Sequence, residues 1–388
     1  MAKYVVCADE ALIGNNLEKI ENAAIVVAED KIADVGTQDE LIKKYPKAEL
    51  LMLGKVCLMP GMIDSHTHTS MDARVPGHLD RMNDPAPELT VRAVNYVKDD
   101  LMSGITTARV LGDKEYVDVT VRNAIREGGL TGPRLVVAGI GMRSIHGHGF
   151  VGVPHTGVQE FRHTARENML HRTEWLKVFI TAGAPPVNGT HIPSFLSYEE
   201  IETVCGEAKR MGIRTSAHCI GGQGLRDAVK AGIDVIDHAY CATIEDLELI
   251  KEKERWICLT PSVFMSKERN LNNPPATQKN TDIVRKKVTA VMQKIVTSGV
   301  KYAIGSDALH ASMALEAECA VKLGAAPKEA VMGITVHGAE LCGVERITGS
   351  LTLGFSADMI AVKGNPVEDI SALNEVSFIM KEGIIYKK

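Results

Sequence analysis

Aromatic residues and positive charge are both scarce in this chain. Aromatic residues make up 4% of the 388 residues, and 44 Lys and Arg against 49 Asp and Glu give a formal net charge of −5 at pH 7. Nucleic-acid-binding proteins typically carry basic stretches with interleaved aromatic residues, and the chain has no such stretch. We therefore expect no nucleic-acid partner.

Long apolar runs are also absent. The start, Met1–Val6, lacks the sustained apolar segment of a secretory signal peptide, and no later run reaches the length of a membrane span. The usual signals for export and membrane insertion are thus missing. By default we expect a cytoplasmic protein with no membrane partner.

The third absence is a C-x-x-C pair. The eight cysteines are spread along the chain, at Cys7, Cys57, Cys205, Cys219, Cys241, Cys258, Cys319 and Cys342. With no export signal, we expect them to be reduced and mostly buried. Cys219 and Cys241 lie near candidate metal ligands, so a metal-binding or nucleophilic role is the alternative. Nothing near them forms a set of cysteine ligands.

The composition is ordinary for a globular protein, with 45% hydrophobic and 24% charged residues. A chain of this length can form one barrel with a small appendage or two ordinary domains. Both ends of the chain are rich in β-forming segments, at residues 4–7, 24–27, 31–35, 356–362, 378–380 and 384–386. We predict that residues 1–55 and 346–388 pair to form one small β-sandwich domain.

The middle of the chain alternates apolar strands with amphipathic helices, which predicts βα units and a parallel sheet. Eight candidate strands lie at residues 56–63, 105–111, 134–138, 176–180, 213–217, 234–237, 256–259 and 302–305. The clearer helices are predicted at 88–102, 116–127, 198–211, 282–298 and 313–323. Eight repeats indicate an α/β fold, a (β/α)8 TIM barrel over residues 56–345. A doubly wound sheet would instead need a Gly-rich phosphate loop after its first strand, where this chain has His66-Thr67-His68.

Metal-binding residue types occur at the predicted strand ends. His66 and His68 are two residues apart, so an extended backbone directs both to one face. Alone, such a pair is more often a chance pair of surface histidines. The reactive groups of a TIM barrel lie at the carboxyl ends of its strands. Those ends supply the further candidates Lys177, His218, His238 and Asp307. Imidazole and carboxylate ligands without thiolates suit zinc, manganese, cobalt, nickel or iron.

Lys177 differs from the other candidates because it lies inside a buried strand, where a charged lysine is costly. One interpretation is that its side chain points outward between helices and reaches the surface. The other is that its neutral amine has captured carbon dioxide as a carbamate, whose two oxygens could bridge two metal ions.

Together these motifs resemble the amidohydrolase superfamily of binuclear metallohydrolases. The resemblance covers nearly the whole chain and rests on Pro60–His68, Lys177, Ala217-His218, Asp237-His238, Gly305–Asp307 and Gly354–Asp358. Within the superfamily, the chain is most similar to members identified as Xaa-Pro dipeptidases and to imidazolonepropionase-like hydrolases. Such members carry a small β domain built from both chain ends.

The resemblance implies a ligand set and a mechanism. The ligands of one divalent metal ion, expected to be zinc, would be His66, His68 and Asp307, and those of a second would be His218 and His238. Lys177, carboxylated by carbon dioxide, would bridge the two ions. Because a metal lowers the pKa of bound water to about 7, a bridging hydroxide would be available to attack an amide carbonyl. Asp307 would take its proton and pass it to the leaving nitrogen.

The resemblance also implies substrate contacts. His148, in the loop His146-Gly147-His148-Gly149, matches a family position that contacts the substrate carbonyl or the developing oxyanion, which makes it a candidate catalytic residue. The family loop usually reads Gly-Gly-His-Gly, so His146 is a departure and either histidine could face the substrate. Tyr240 and Arg143 are candidates for binding a substrate carboxylate or another polar group.

A second departure from the family pattern lies on the second barrel strand. Relatives commonly have Arg-Asp where this chain has Arg109-Val110, and Asp113 is the residue that could compensate. His310 follows Asp307 on the same loop and could also reach a substrate. Five further histidines without a strand-end position are expected to be structural, namely His155, His163, His171, His191 and His337.

The resemblance predicts a metal-dependent hydrolase that cleaves a C–N amide bond of a small-molecule substrate, a dipeptide or an N-acyl amino acid. A cyclic amide or imidazolone hydrolase is the first alternative, and a deaminase of a small heterocycle is the second. From another class, the chain could be a catalytically silent barrel that binds a ligand. A silent homologue would have little reason to keep the whole ligand set. We also expect the protein to form a homo-oligomer.

Overall fold

The structure, a computed structural model, describes residues 3–388. The chain has an α/β architecture and forms two compact units. Unit 1 comprises residues 3–64, 99–107 and 311–388, and unit 2 comprises residues 65–98 and 108–310. The domain boundaries expected after residues 55 and 345 remain a prediction.

The strands are numbered in chain order. They are β1 (Tyr4–Ile13), β2 (Glu18–Ala28), β3 (Lys31–Thr37), β4 (Glu49–Met52), β5 (Cys57–Pro60), β6 (Met62–Thr67), β7 (Ile105–Val110), β8 (Arg134–Val137), β9 (Met142–Ser144), β10 (Val153–His155), β11 (Trp175–Phe179), β12 (Arg214–Cys219), β13 (Val235–His238), β14 (Trp256–Leu259), β15 (Tyr302–Ile304), β16 (Met359–Val362), β17 (Val376–Lys381) and β18 (Ile384–Lys387).

The helices are α1 (Gln38–Lys44), α2 (Ala86–Met102), α3 (Val117–Arg126), α4 (Gly157–Leu170), α5 (Tyr198–Met211), α6 (Gly222–Ala231), α7 (Ile244–Glu252), α8 (Ser262–Met265), α9 (Lys267–Leu271), α10 (Pro275–Thr297), α11 (Met313–Lys322), α12 (Pro327–Gly333) and α13 (Val336–Cys342). Short 3₁₀ helices lie at Asp80–Asn83, Lys114–Tyr116 and Ile370–Asn374. Within residues 3–388, no helix combines the length and the apolar character that a membrane span requires.

Unit 1 contains an eight-stranded sheet with strand order β18-β17-β16-β5-β1-β2-β3, in which β4 also pairs with β1. Strands from the two ends of the chain meet where β16 pairs antiparallel with β5. Successive side chains of β1 and β2 point to opposite faces. Val6 and Ile25 pack into one apolar cluster, and Val5 and Val26 pack with Leu41 of α1 in another. The expected pairing of strands from both chain ends is therefore observed.

The predicted strand–helix repeats form two further sheets. One has the order β10-β9-β11-β12-β13-β14-β15 with parallel pairing between neighbours, and the other has the order β6-β7-β8. Strands β7, β8 and β11 to β15 begin and end close to their predicted positions. Because parallel strands end at the same edge of a sheet, β11, β12, β13 and β15 bring their terminal residues together.

The prediction of a single first strand at 56–63 is wrong. Two strands replace it, β5 in the eight-stranded sheet and β6 in the three-stranded sheet, on either side of Gly61. A Cβ atom at Gly61 would lie 2.2 Å from the Oγ1 atom of Thr106, so the close approach of the two segments requires glycine. As a consequence β6 continues to Thr67 and includes His66.

Local capping chemistry explains the agreement between predicted and observed helices. At the start of α5, the Ser197 hydroxyl accepts a hydrogen bond from Glu200 N, and the Glu200 carboxylate accepts one from Ser197 N. Gly212 ends the helix in a left-handed conformation with φ of 67°. The helices predicted at 88–102, 116–127 and 313–323 correspond to α2, α3 and α11. The helix predicted to begin at residue 282 begins earlier as α10, with Pro275 in its first turn.

Candidate metal centre

The structure brings the candidate ligands of unit 2 together at the strand ends. His66 lies at the end of β6, His218 and His238 lie at the ends of β12 and β13, and Asp307 follows β15. Asp307 Oδ1 is 3.4 Å from His66 Nε2 and 3.7 Å from His68 Nε2. The His238 ring centroid is 4.9 Å from that of His66 and 4.8 Å from that of His218. Four imidazoles and a carboxylate thus form one cluster.

In three of these histidines, one ring nitrogen lies within hydrogen-bonding distance of an oxygen atom. His68 Nδ1 lies 2.9 Å from a main-chain oxygen, His218 Nε2 lies 3.0 Å from another, and His238 Nδ1 lies 2.8 Å from the Thr260 hydroxyl. Contacts of this kind orient a histidine and leave its other nitrogen as a ligand atom. The available atoms are therefore Nε2 of His68 and His238 and Nδ1 of His218.

Burial sets the charge state of the cluster. It lowers the pKa of His68 and of His238 to about 3, and the pKa of His218 well below its usual value. Burial alone would raise the pKa of Asp307, but a hydrogen bond from His66 and the nearby Arg269 guanidinium hold that pKa well below its ordinary range. At neutral pH these imidazoles are neutral and the carboxylate is ionised, which are the forms that bind metal ions.

The donor set fits a divalent metal ion. Ligand atoms from His66, His238 and Asp307 all lie within 4.8 Å of one another, and both histidines are buried. Imidazole nitrogens combined with a carboxylate oxygen are ligands typical of zinc and neighbouring transition metals. The cluster therefore has the chemistry and the proximity that such a metal would need.

Strained backbone occurs at two of these candidate ligands. His238 has φ of 77° and Asp307 has φ of 51°, a left-handed region that residues other than glycine rarely adopt. Such strain costs about 1–3 kcal/mol per residue and concentrates at functional sites. Gly305 adds a second constraint, because a Cβ atom there would lie 2.5 Å from the backbone nitrogen of His66.

Lys177 is fully buried in β11, so the interpretation that it reaches the surface is wrong. Its side chain has no exposed area, and Nζ contacts a carboxylate oxygen of Asp237, which is equally buried. Burial lowers the pKa of Lys177, and the neighbouring Asp237 carboxylate acts in the opposite direction. Burial alone would raise the pKa of Asp237, but Lys177, His66 and Arg109 hold that pKa well below its usual range.

The cluster lines a cavity of about 180 Å³. Many of its other wall residues are apolar, including Met71, Leu79, Phe150, Val151, Phe179, Val263 and Phe264. The polar wall residues outside the cluster include His78, His148, Tyr240, Arg269, Asn273 and Thr277. Sites for drug-sized ligands usually measure about 300–1,000 Å³, so this cavity favours a small substrate.

The two histidines of the Gly-rich loop have different positions. His148 lines the cavity, with its ring centroid 4.6 Å from that of His218, and burial lowers its pKa to about 4. A Cβ atom at Gly183 would lie 2.3 Å from the His148 ring, so glycine is needed where the two residues meet. His146 is exposed, lies outside the cavity lining, and packs its ring edge-on against Phe195.

Tyr240 and Arg143, the other two predicted substrate contacts, differ in their position relative to the cavity. Tyr240 lines the cavity, stacks on His238, and donates a hydrogen bond of 3.1 Å to Thr260 O. Arg143 is outside the lining and donates to main-chain oxygens of its own loop, including Ser144 O at 3.1 Å. The structure therefore brings Tyr240 to the site and does not bring Arg143 there.

Arg109 and Asp113, which mark a departure from the family pattern, both make buried contacts near the cluster. Arg109 is buried and its Nη2 atom lies 3.3 Å from Asp237 Oδ1. The Asp113 carboxylate accepts hydrogen bonds from the hydroxyls and backbone nitrogens of Thr69 and Ser70, directly after His68. Burial raises the pKa of Asp113. Asp113 thus holds the loop that carries His68 rather than facing the cavity.

Sequence reasoning missed His78 and Arg269, which both line the cavity. Arg269 lies in α9 and donates hydrogen bonds of 2.6 Å to Ser306 O and to Asp307 O, so it holds the loop that carries Asp307. No spacing in the sequence relates Arg269 to that loop. His310 is buried and lies outside the cavity lining, with Nε2 2.9 Å from Met71 O.

One cysteine lies beside the cluster, since the Cys258 Sγ atom is within 4.8 Å of ligand atoms of His66 and Asp237. All eight lie within the described residues, none forms a disulfide, and seven are buried. Burial raises the pKa of Cys219 to about 12 and also raises the pKa of Cys241, so neither is a thiolate at neutral pH. The expectation of reduced and mostly buried cysteines agrees with these positions.

Comparison with known proteins identifies relatives along the whole chain. The model of the amidohydrolase family matches residues 57–387. Ochratoxinase from Aspergillus niger is 28% identical over an alignment that covers 100% of this chain and 87% of that protein. Imidazolonepropionase from Clostridium tetani is 23% identical, with 96% of this chain and 93% of that protein covered. The solved structure of a Xaa-Pro dipeptidase with bound methionine in the active site superposes with a TM-score of 0.85 and 25% identity, covering 100% of both chains.

Proposed function

The chain belongs to the amidohydrolase family, and from this membership we propose that it is a metal-dependent hydrolase that cleaves the amide bond of a small substrate. The activities of its relatives support a hydrolase acting on carbon–nitrogen bonds. The observation that carries the proposal is the buried cluster of four imidazoles, an ionised carboxylate and Lys177 beside the cavity. A ligand-binding barrel without activity would not need this set.

Two divalent metal ions, for which zinc is our proposal, would occupy the cluster. His66, His68 and Asp307 would hold one ion, His218 and His238 the other, and carboxylated Lys177 would link them. When bound, such ions supply a water nucleophile of lowered pKa and a Lewis acid for the scissile carbonyl. The depressed pKa of buried Lys177 supports the carbamate, since only a neutral amine reacts with carbon dioxide.

Asp307 is the proposed proton carrier. Its carboxylate is ionised and lies within 3.7 Å of two imidazoles, and Arg269 anchors its backbone through Asp307 O. A carboxylate fixed in this way can accept the proton of the attacking water and donate it to the leaving nitrogen. Loss of the amine would then not require a free amide anion.

His148 and Tyr240 are the proposed contacts to the substrate. The neutral ring of His148 faces the cavity and can donate a hydrogen bond to the carbonyl oxygen, where negative charge develops. Tyr240 lies on the same wall, stacked on His238 at a centroid distance of 5.1 Å. Arg143 and His146 have no part in this proposal, because both lie outside the cavity lining.

The substrate we favour is a dipeptide or an N-acyl amino acid with a small apolar group. Phe179, Phe264 and Val263 supply apolar walls for such a group. The likeness to an ochratoxinase and to a Xaa-Pro dipeptidase supports this class. Ring opening of a cyclic amide is the second candidate, because an imidazolonepropionase aligns along 96% of this chain.

The same family membership supports a closed (β/α)8 barrel formed by β6, β7, β8 and β11 to β15. Asp307 N, which follows β15, donates a hydrogen bond of 2.7 Å to His66 O in β6. A contact between the segment after the last strand and the first strand is what closure requires. We propose a small β-sandwich domain from both chain ends on the same grounds.

Mass spectrometry of reaction products tests the proposed function. The purified protein, loaded with zinc and bicarbonate, is incubated with pools of dipeptides, N-acyl amino acids, cyclic amides and aminated heterocycles. Two fragments whose masses sum to substrate plus water are expected in the first two pools. Water addition to an intact molecule would favour the ring-opening alternative, and exchange of an amino group for oxygen would contradict an amide hydrolase.

A further inference from the structure

The buried side chain that links the two halves of the metal cluster is Asp237, which the proposed mechanism does not use. Asp237 has no exposed area and lies on β13 immediately before His238. Its Oδ2 atom contacts Lys177 Nζ and accepts a hydrogen bond of 2.7 Å from the Ser216 hydroxyl. Its Oδ1 atom lies 3.2 Å from His66 Nδ1 and 3.3 Å from Arg109 Nη2.

We propose that Asp237 is the positioning residue of the metal centre, with one oxygen holding His66 and the other holding Lys177. This proposal rests on the proposed function, since it concerns the same cluster. A carboxylate beside Nδ1 selects the form of His66 that carries its proton there, so Nε2 is left as the ligand atom. That atom is the one that faces Asp307, at 3.4 Å.

The contact between Asp237 and Lys177 has a different effect, because it fixes the position of the lysine amine. A free lysine side chain could rotate away from the cluster, but the contact with Oδ2 fixes Nζ on the strand face that carries the ligands. After carboxylation the nitrogen still carries one N–H group, which can donate to the same oxygen. Asp237 therefore holds Lys177 before and after the modification.

Arg109 supplies the charge that makes a buried Asp237 tolerable. Its guanidinium contacts Asp237, donates a hydrogen bond of 2.7 Å to Ser65 O and packs 4.5 Å from the Trp175 ring. A buried carboxylate without such a partner is costly. Arg109 Nη1 is buried and has no acceptor within the part of the chain described, so this region can accommodate one further anion. A carbamate on Lys177 is an anion of that kind.

The test compares metal binding by Asp237→Asn with that by the matched variant Asp234→Asn. Asp234 directly precedes the same strand, but its carboxylate is partly exposed and accepts hydrogen bonds from Thr215 instead. Zinc affinity is measured by competition with a chelator, zinc content by elemental analysis, and the carbamate by ¹³C NMR after incubation with labelled bicarbonate. For Asp237→Asn we expect zinc affinity to fall about 10- to 100-fold and the carbamate signal to be lost. Asp234→Asn should match the wild type in all three readouts.

The outcomes separate this inference from the function on which it rests. Wild-type zinc affinity and a normal carbamate signal in folded Asp237→Asn would overturn the positioning role alone. Absence of zinc binding and carbamate in the wild type would overturn both proposals. If Asp237→Asn does not fold, the double variant Arg109→Gln with Asp237→Asn removes both charges and is measured in the same way. Wild-type zinc binding by the folded double variant would again overturn the positioning role.

Discussion

At the scale of single residues, the central feature is a set of ionisable groups held in the forms that metal ions bind. Burial keeps His68, His218 and His238 neutral, whereas a hydrogen bond from His66 and the Arg269 guanidinium keep Asp307 ionised. One ring nitrogen of each histidine lies near an oxygen atom, and Arg269 donates a hydrogen bond to the backbone oxygen of Asp307. Single substitutions at this scale should therefore change chemistry more than stability.

Asp307→Asn should reduce kcat by about 10²- to 10⁴-fold, because an amide cannot carry the proton from the water to the leaving nitrogen. The side chain keeps its shape, so circular dichroism and thermal unfolding should match those of the wild type. The matched control is Asp227→Asn, which changes a carboxylate on α6 that accepts a hydrogen bond from Gln223. Turnover near the wild-type rate in Asp307→Asn would remove Asp307 as the proton carrier.

Lys177→Ala should lose activity that acetate or propionate partly restores, because a short carboxylic acid can occupy the place of the carbamate. Turnover is measured as a function of acid concentration. His218→Ala removes an imidazole ligand instead, so it should stay inactive at every acid concentration. Unchanged activity in Lys177→Ala without added acid would contradict the bridging role.

The loop histidines offer a matched pair of substitutions. His148→Ala should lower kcat/KM by about 10²- to 10³-fold, because it removes a donor to the developing oxyanion. His146→Ala should stay within about twofold of the wild type, since surface changes away from a site have small effects. The kcat/KM of both variants is measured by steady-state kinetics on the same substrate. Equal reductions of kcat/KM in the two variants would contradict the assignment of His148.

At the scale of secondary-structure elements, glycines set the distances between the loops around the site. Gly183 follows β11 and faces the ring of His148, whereas Gly206 lies in α5 with no atom within 4 Å of an added Cβ. The two positions differ in packing, so the same substitution should have opposite consequences. This contrast tests whether loop position matters for turnover.

Gly183→Ala should reduce kcat by about 10- to 100-fold, because the new methyl group displaces His148 from its position beside the cavity. Gly206→Ala should keep full activity and raise stability by up to about 1 kcal/mol, since alanine is the better helix former. Kinetics and thermal unfolding of both variants are compared. Full activity in Gly183→Ala would mean that the loop adjusts freely and that the position of His148 is not critical.

The strands that carry the candidate site were largely predictable from the sequence. Apolar runs of strand length placed β7, β8 and β11 to β15, and the Ser197–Glu200 capping box placed the start of α5. The break at Gly61 was not predictable, because it depends on the side chain of Thr106, which is distant in sequence. The alternation of apolar residues in a strand predicts which face of the sheet a side chain occupies. It does not predict which other segment of the chain packs against that side chain.

The candidate ligands were predictable for a related reason, since parallel strands bring their ends together whatever the loops do. Asp237 and Arg269 were not recognised, because their importance comes from the contacts of individual side chains. The position of His148 relative to His146 depends on how the Gly-rich loop turns, and nothing in its composition fixes that turn. Loop-borne substrate contacts such as Arg143 were the weakest predictions for the same reason.

At the scale of the whole molecule, six segments that are separate in the sequence contribute side chains to one cluster in unit 2. Strands β6, β11, β12 and β13 carry candidate ligands, the segment after β15 carries Asp307, and β7 carries Arg109, which contacts Asp237. The site is therefore assembled only when these separate segments of the chain are folded together. Metal ions that bind only the folded chain should accordingly stabilise it.

The most direct test of the account is a titration of the metal-free protein with zinc in the presence of bicarbonate, with amide hydrolysis and bound zinc measured at each step. The account predicts no activity without metal and a rise that reaches its plateau at two zinc ions per chain. Hydrolysis that persists after complete removal of metal would contradict the metal-dependent mechanism, and a plateau at one ion per chain would contradict the binuclear centre.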